Sequence, residues 1–183
     1  TRRSSDLAAT RYSVATGLWS ATSTWSATSG GAPGASVPVA GDDVYIENSN
    51  LVTVSSNVTI ANLYFNGNNV GVSVNSGSII TITASLKANS SNSSSRIISI
   101  IGAGTLNCVS LTVGSAGAPN TSNPTTSFVS TISNLNVSGD LSILSTTNTN
   151  INNSGFYLES GILNLDGRII TTNGVSNTST FSM

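Results

Sequence analysis

The groups able to do chemistry in this chain are few and widely spaced. Seven carboxylates (Asp6, Asp42, Asp43, Glu47, Asp140, Glu159 and Asp166) and six cations are spread over 183 residues, and there is no histidine. Without histidine the chain lacks the commonest general base, a usual zinc ligand and any Ser-His-Asp arrangement. The one cluster of acids is Asp42, Asp43 and Glu47. Joined by loop carbonyls, these oxygens could hold a calcium ion, which takes oxygen ligands from flexible loops. The competing reading is that they cap a turn ahead of a strand at Val44-Tyr45-Ile46. Glu159, Asp166 and Arg168 also lie close in sequence. Glycoside chemistry needs two such acids brought together on one face, whereas an ion pair between neighbouring strands needs only proximity. The expectation is therefore no catalytic residue and no cofactor, with calcium at Asp42, Asp43 and Glu47 the only ion to consider.

Other reactive-looking features have structural readings. Cys108 alternates with Leu106 and is expected to pack inward as a small apolar residue. As the only cysteine it cannot form an intrachain disulfide. Gly102-Ala103-Gly104 has neither the lysine nor the following helix of a phosphate loop. N-x-S/T triplets at Asn57, Asn89, Asn92, Asn120, Asn136 and Asn177 are expected by chance in so Asn- and Ser-rich a chain. Trp19 and Trp25 either plug the open end of a core or form an aromatic platform for sugar. The plug is the simpler role for two large rings in a loop-rich lead-in.

Composition limits the partners. Only 7% of residues are charged, against roughly 25% in ordinary soluble proteins. Ser, Thr and Asn replace them at about four residues in ten. With 38% hydrophobic residues and a net charge of −1, the chain has material for a core. It has no electrostatic footprint for nucleic acid or an anionic membrane. No run approaches the ~18 apolar residues of a membrane span, so no membrane insertion is expected. The opening Thr1-Arg2-Arg3-Ser4-Ser5-Asp6 has no apolar signal region. The expected location is secreted or cell-surface, with any signal peptide already removed.

These residues must be positioned by strands. Helix formers are scarce, and short alternating runs recur at Val52-Thr53-Val54, Val58-Thr59-Ile60, Leu63-Tyr64-Phe65, Val70 to Val74 and Ile80-Thr81-Ile82. The texture returns at Leu111-Thr112-Val113, Leu135-Asn136-Val137, Leu141-Ser142-Ile143 and Leu163-Asn164-Leu165. Alternation of this kind marks half-buried strands, and the Gly and Asn between them mark turns. Such spacing fits a β-sandwich or a parallel β-solenoid. An internal echo favours the solenoid: Gly77, Gly104 and Gly161 each open a similar run, with the first two 27 apart and the last two 57 apart. One coil every ~20 to 30 residues would follow, with Val, Ile and Leu inward and stacked Asn ladders outward. Asn89 to Ser95 and Gly114 to Ser127, the latter with Pro119 and Pro124, read as loops leaving the coils. The expected organisation is a lead-in or cap over 1–47 and coils over 48–183.

The lead-in also carries a resemblance. Gly17-Leu18-Trp19, Thr24-Trp25, Pro33, Pro38 and Gly41-Asp42-Asp43-Val44-Tyr45-Ile46, followed by Leu51-Val52-Thr53-Val54, resemble a recurring opening of secreted bacterial β-helix proteins. The Ser/Thr/Asn-rich remainder is similar to surface adhesins of Bacteroidota exported by the type 9 secretion system. The resemblance implies a right-handed parallel β-helix at the cell surface and no catalytic residues to carry over. Such proteins usually end in a sorting domain, which Phe181-Ser182-Met183 is not, so either a longer parent protein or a different sorting route is expected.

The function expected on this basis is an extracellular structural or adhesive protein or fibre component. Its expected partners are further copies stacked end to end, or surface glycans. A carbohydrate-binding module and a polysaccharide-processing β-helix are the alternatives. A third, ice binding, is suggested only by Thr81-Ile82-Thr83.

Overall fold

A computed structural model describes residues 8–88, 96–114, 126–144, 155–165, 170–173 and 180–182. The described residues are all-β apart from one 3-10 turn at Thr22–Thr24. In chain order the strands are β1 (Thr10–Ser13), β2 (Gly17–Leu18), β3 (Trp25–Ser26), β4 (Asp43–Glu47), β5 (Leu51–Val54), β6 (Val58–Ile60), β7 (Asn62–Asn66), β8 (Val70–Val74) and β9 (Ile79–Ala88). They continue as β10 (Arg96–Ile101), β11 (Thr105–Val113), β12 (Thr126–Ser130), β13 (Asn134–Val137), β14 (Leu141–Leu144), β15 (Gly155–Leu158), β16 (Ile162–Asn164), β17 (Ile170–Asn173) and β18 (Thr180–Ser182).

The strands form two sheets, of eleven and seven strands. Among the described residues every pairing is parallel except β1 with β3. Parallel strands cannot be joined by tight hairpins, so the antiparallel texture typical of a β-sandwich is not found. The large sheet has two limbs. Its first limb stacks β6, the start of β9, the start of β11, β13 and β16. Its second limb stacks β1, β4, β7, the end of β9, the end of β11, β14 and β17. From β4 onward the chain visits the second limb, the small sheet and the first limb in that order, and then repeats.

Sequence alternation sets which face is buried. Val44, Ile46, Leu63, Phe65, Leu86, Ala88, Leu111 and Val113 line the second limb inside. Val52, Val54, Val72, Val74, Ile98 and Ile100 do the same in the small sheet. Each buried Val, Leu or Ile contributes about 1.5–3 kcal/mol relative to exposure, and together they form one continuous core. Phe128 and Phe156 stack within it at 5.2 Å and 14°.

The corners explain the unequal spacing of the repeat. Passage from the small sheet to the first limb is always short, through residues 55–57, 75–78, 102–104, 131–133 and 159–161. Two of these turns need glycine. Gly102 has φ of 107° and Gly161 of 95°, and an added Cβ would strike the carbonyl oxygens of Val74 and Ile132 respectively. Passage from the second limb to the small sheet starts equally short, through Asn48, Ser49 and Asn69 at positive φ. After β9 it lengthens, and hydrogen-bonded neighbours in adjacent strands move from 19 and 23 residues apart before it to 25 and 29 beyond.

Two sequence expectations need correction here. Leu106 pairs with Ile80 and Thr105 with Ile79, so Gly104 lies level with Ser78 and the glycine spacing of 27 overstates that step by one residue. Gly114 donates its N–H to Ala88 O at 2.8 Å, and Thr126 and Ser127 already belong to β12. The second expected loop is thus narrower than 114–127. The segment 89–95, with Asn89 and Asn92, lies outside the described residues. So do Pro119, Asn120, Pro124 and Asn177.

Candidate functional site

The acids proposed for calcium do not converge. Asp42 ends the turn before β4 and Asp43 opens the strand, and the two carboxylates bond different partners. Asp42 is buried, and its Oδ1 and Oδ2 accept the N–H groups of Ala9 at 2.8 Å and Val39 at 3.0 Å. That is the turn-capping role. Asp43 Oδ1 accepts Asn62 Nδ2 at 2.7 Å. Glu47 is also buried. Its Oε2 accepts Ser29 Oγ at 2.8 Å and its Oε1 accepts Asn66 Nδ2 at 3.0 Å. Ser13 Oγ accepts both the Glu47 N–H at 2.8 Å and Asn50 Nδ2 at 3.1 Å. Among the described residues no three His, Cys, Asp or Glu side chains group as a metal site requires.

The tryptophans lie inside. Trp25 is 0% and Trp19 3% exposed, with ring centroids 5.0 Å apart in an edge-to-face arrangement. Trp25 Nε1 donates to Trp19 O at 2.7 Å and Trp19 Nε1 to Pro38 O at 3.4 Å, so both polar tips are met as burial demands. Neither ring presents a face for a sugar. Beside them β3 runs antiparallel to β1 and covers that edge of the large sheet.

Of the remaining acids, only Asp140 and Glu159 are among the described residues. Glu159 and Asp140 are exposed, while Asp6, Asp166 and Arg168 lie outside the described residues. Thr81 is in register with Thr59 on one side but with Asn107 on the other, so its column does not continue as threonine. Cys108 is buried as expected, and burial pushes its thiol up to about 12.

Two outward columns were not singled out by the sequence. The first crosses the second limb, where Tyr12, Tyr45, Tyr64 and Lys87 pair in register. Tyr12 stacks on Tyr45 at 5.0 Å and Tyr45 on Tyr64 at 4.6 Å, with planes within 21°. Lys87 Nζ sits 5.8 Å over the Tyr64 ring and closes the stack. Burial raises the Tyr45 hydroxyl pKa, helped by Tyr64, Tyr12, Asp43 and Glu47. Burial and then Asp43 raise that of Tyr64.

The second column crosses the first limb. Asn136 Nδ2 donates to Asn107 Oδ1 at 2.7 Å, and Asn164 Nδ2 donates to Asn136 Oδ1 at 2.6 Å. Beside this ladder the sheet bends. Thr83 and Ala84 together face Val109, a bulge between β9 and β11, and bulges bend the strand that carries them. The bend forms an open trough of about 810 Å³, lined in register by Thr81–Thr83, Asn107–Val109, Asn136–Ser138 and Leu163–Leu165. The signal was present in sequence as three triplets, Leu106-Asn107-Cys108, Leu135-Asn136-Val137 and Leu163-Asn164-Leu165, each with Asn between two apolar residues.

No family model, curated protein or solved structure matches the chain.

Proposed function

We propose that the chain is an extracellular structural and adhesive element, built as a right-handed parallel β-helix and displayed at a cell surface, and that it is not an enzyme. The observation that carries this reading is the ordered return of the chain to the same three columns of parallel strands. A chain doing this winds, and successive windings are joined by backbone hydrogen bonds into a stiff, quasi-one-dimensional body. Its outward side chains are joined to the next strand rather than gathered at one point: Asp43 to Asn62, Ser85 to Ser110, Asn107 to Asn136 to Asn164. Stacking of that kind suits load-bearing and repeated display. Residues 1–47 serve as the lead-in and cap in this reading, and 48–183 as the wound body. The G-x-W…T-W…G-D-x-V-x-I resemblance to exported adhesins supports the surface location, including export through type 9 secretion.

Beads coated with the purified chain, perfused over glycan-bearing and bare surfaces, test the function. Retention under flow above that of albumin-coated beads is expected. Retention no better than albumin on every surface overturns the adhesive role. A compact, isotropic particle in small-angle scattering overturns the wound architecture.

A further inference from the structure

We infer that the trough along the bend of the large sheet binds one extended strand of a neutral polysaccharide, held by the Asn107, Asn136 and Asn164 amides. The inference rests on the adhesive reading and gives it a ligand class.

Shape is the first argument. The trough crosses β9, β11, β13 and β16, so it runs along the stacking direction in steps of ~4.7–4.9 Å. Its volume of about 810 Å³ lies within the usual range for ligand sites of ~300–1,000 Å³. A long, open channel admits a polymer in mid-chain, with no end required.

Hydrogen-bonding capacity is the second. A carboxamide offers two N–H donors and two lone pairs. Asn136 uses one donor on Asn107 and one lone pair on Asn164, so one of each remains for a ligand. Asn107 and Asn164 repeat the carboxamide on the strands to either side, and Thr81 extends the column with a hydroxyl. Sugar hydroxyls both donate and accept, and an extended glycan repeats them at a regular advance. The ladder holds its amides in place before any ligand arrives, which lowers the ordering cost of binding.

Charge and apolar surface narrow the class. Apart from the buried Cys108, no described residue lining the trough is ionisable, so the described lining gives neither an anionic nor a cationic polymer a gain from charge. Val109, 45% exposed, and the half-buried Leu165 supply contact for the C–H face of a sugar ring. A peptide adding as a further strand is disfavoured, because β11 and β13 are already paired on both sides.

Native gels cast with hydroxyethylcellulose, xyloglucan or galactomannan test the site, with alginate as the anionic control and mobility referred to polymer-free gels. Retardation in at least one neutral gel and none in alginate is expected. Asn136→Val and Val109→Glu should each weaken it about tenfold, as expected for losing one or two hydrogen bonds or burying a charge. Val109 is exposed, so V109E decides the matter even if N136V fails to fold. The site is overturned if no neutral polymer retards the chain, if alginate alone does, or if V109E binds like the native protein. Beads still retained under flow after V109E, with gel retardation absent, would discard the trough and leave the adhesive role standing. Self-association abolished by V109E without any retardation would assign the trough to a second copy and also overturn the glycan.

Discussion

The tyrosine column and the asparagine column meet the same geometric demand with opposite chemistry. Both place like side chains in register on adjacent parallel strands of one sheet. The tyrosines of β1, β4 and β7 bury ring faces against one another, are closed by Lys87, and are flanked by Asp43 and Glu47. The asparagines of β11, β13 and β16 join through directional hydrogen bonds, have no charged residue among the described lining of their trough, and keep part of each amide free. One column is saturated; the other remains open to a ligand. The saturated one lies beside the covered edge at β3, where the core needs sealing, and the open one lies away from it.

Changes at the sealed end should cost most. Trp25→Ala removes a fully buried ring and its bond to Trp19 O, and a loss of about 3–5 kcal/mol is expected in denaturant unfolding. Tyr45→Ala should follow, losing two ring contacts at about 0.5–1.5 kcal/mol each. Asn136→Leu should cost less, about 1–2 kcal/mol, because its bonds are exchanged with water on unfolding. An asparagine variant that destabilises more than Tyr45→Ala would remove the distinction between the columns.

Alkaline titration sharpens it further. The buried Cys108 thiol keeps its proton to about 12, from an ordinary value of 9.0. Between those values the unfolded chain binds fewer protons than the folded one, so stability falls as pH rises. The raised Tyr45 and Tyr64 hydroxyls act in the same direction above their ordinary 10.0. Melting temperature should fall from pH 9 upward, with a shallower slope in Cys108→Val; equal slopes would place Cys108 in contact with water. The smallest effect belongs to Lys87→Met, about 0.5–1 kcal/mol for a cation over a ring that water still reaches, read by denaturant unfolding.

Much of the strand framework could be read from local alternation, because Val52-Thr53-Val54 or Leu63-Tyr64-Phe65 needs only its own neighbours to declare an inward face. The burial of Cys108 was legible for the same reason, whereas the capping role of Asp42 follows from its place in a turn before a strand and the burial of Trp19 and Trp25 from the need to plug the core. Register was not legible. In β11 the inward side chains pass from Leu106 and Cys108 to Leu111 and Val113, a change of phase where the strand passes from the first limb to the second, which alternation alone does not foretell. Tyr12, Tyr45 and Tyr64 meet although their separations differ, since turns of unequal length intervene. A repeat search that assumes one period cannot align them. The asparagine ladder was expected as a type of contact, but its members emerge only once Leu106, Leu135 and Leu163 are set level.

The two kinds of corner have a consequence for engineering. At residues 102–104 and 159–161 the backbone presses against Val74 and Ile132 of the preceding corner, and Gly102 and Gly161 admit no substitute without strain. The opposite corner differs in length, from the short span at 67–69 to the longer one between Ala88 and Arg96, while β8 and β10 stay parallel and in register. Extra residues there leave the strands paired, so that edge has room for insertion. The molecule is in this sense a fixed spine with one adaptable margin, which is where a foreign peptide could be grafted with least disturbance.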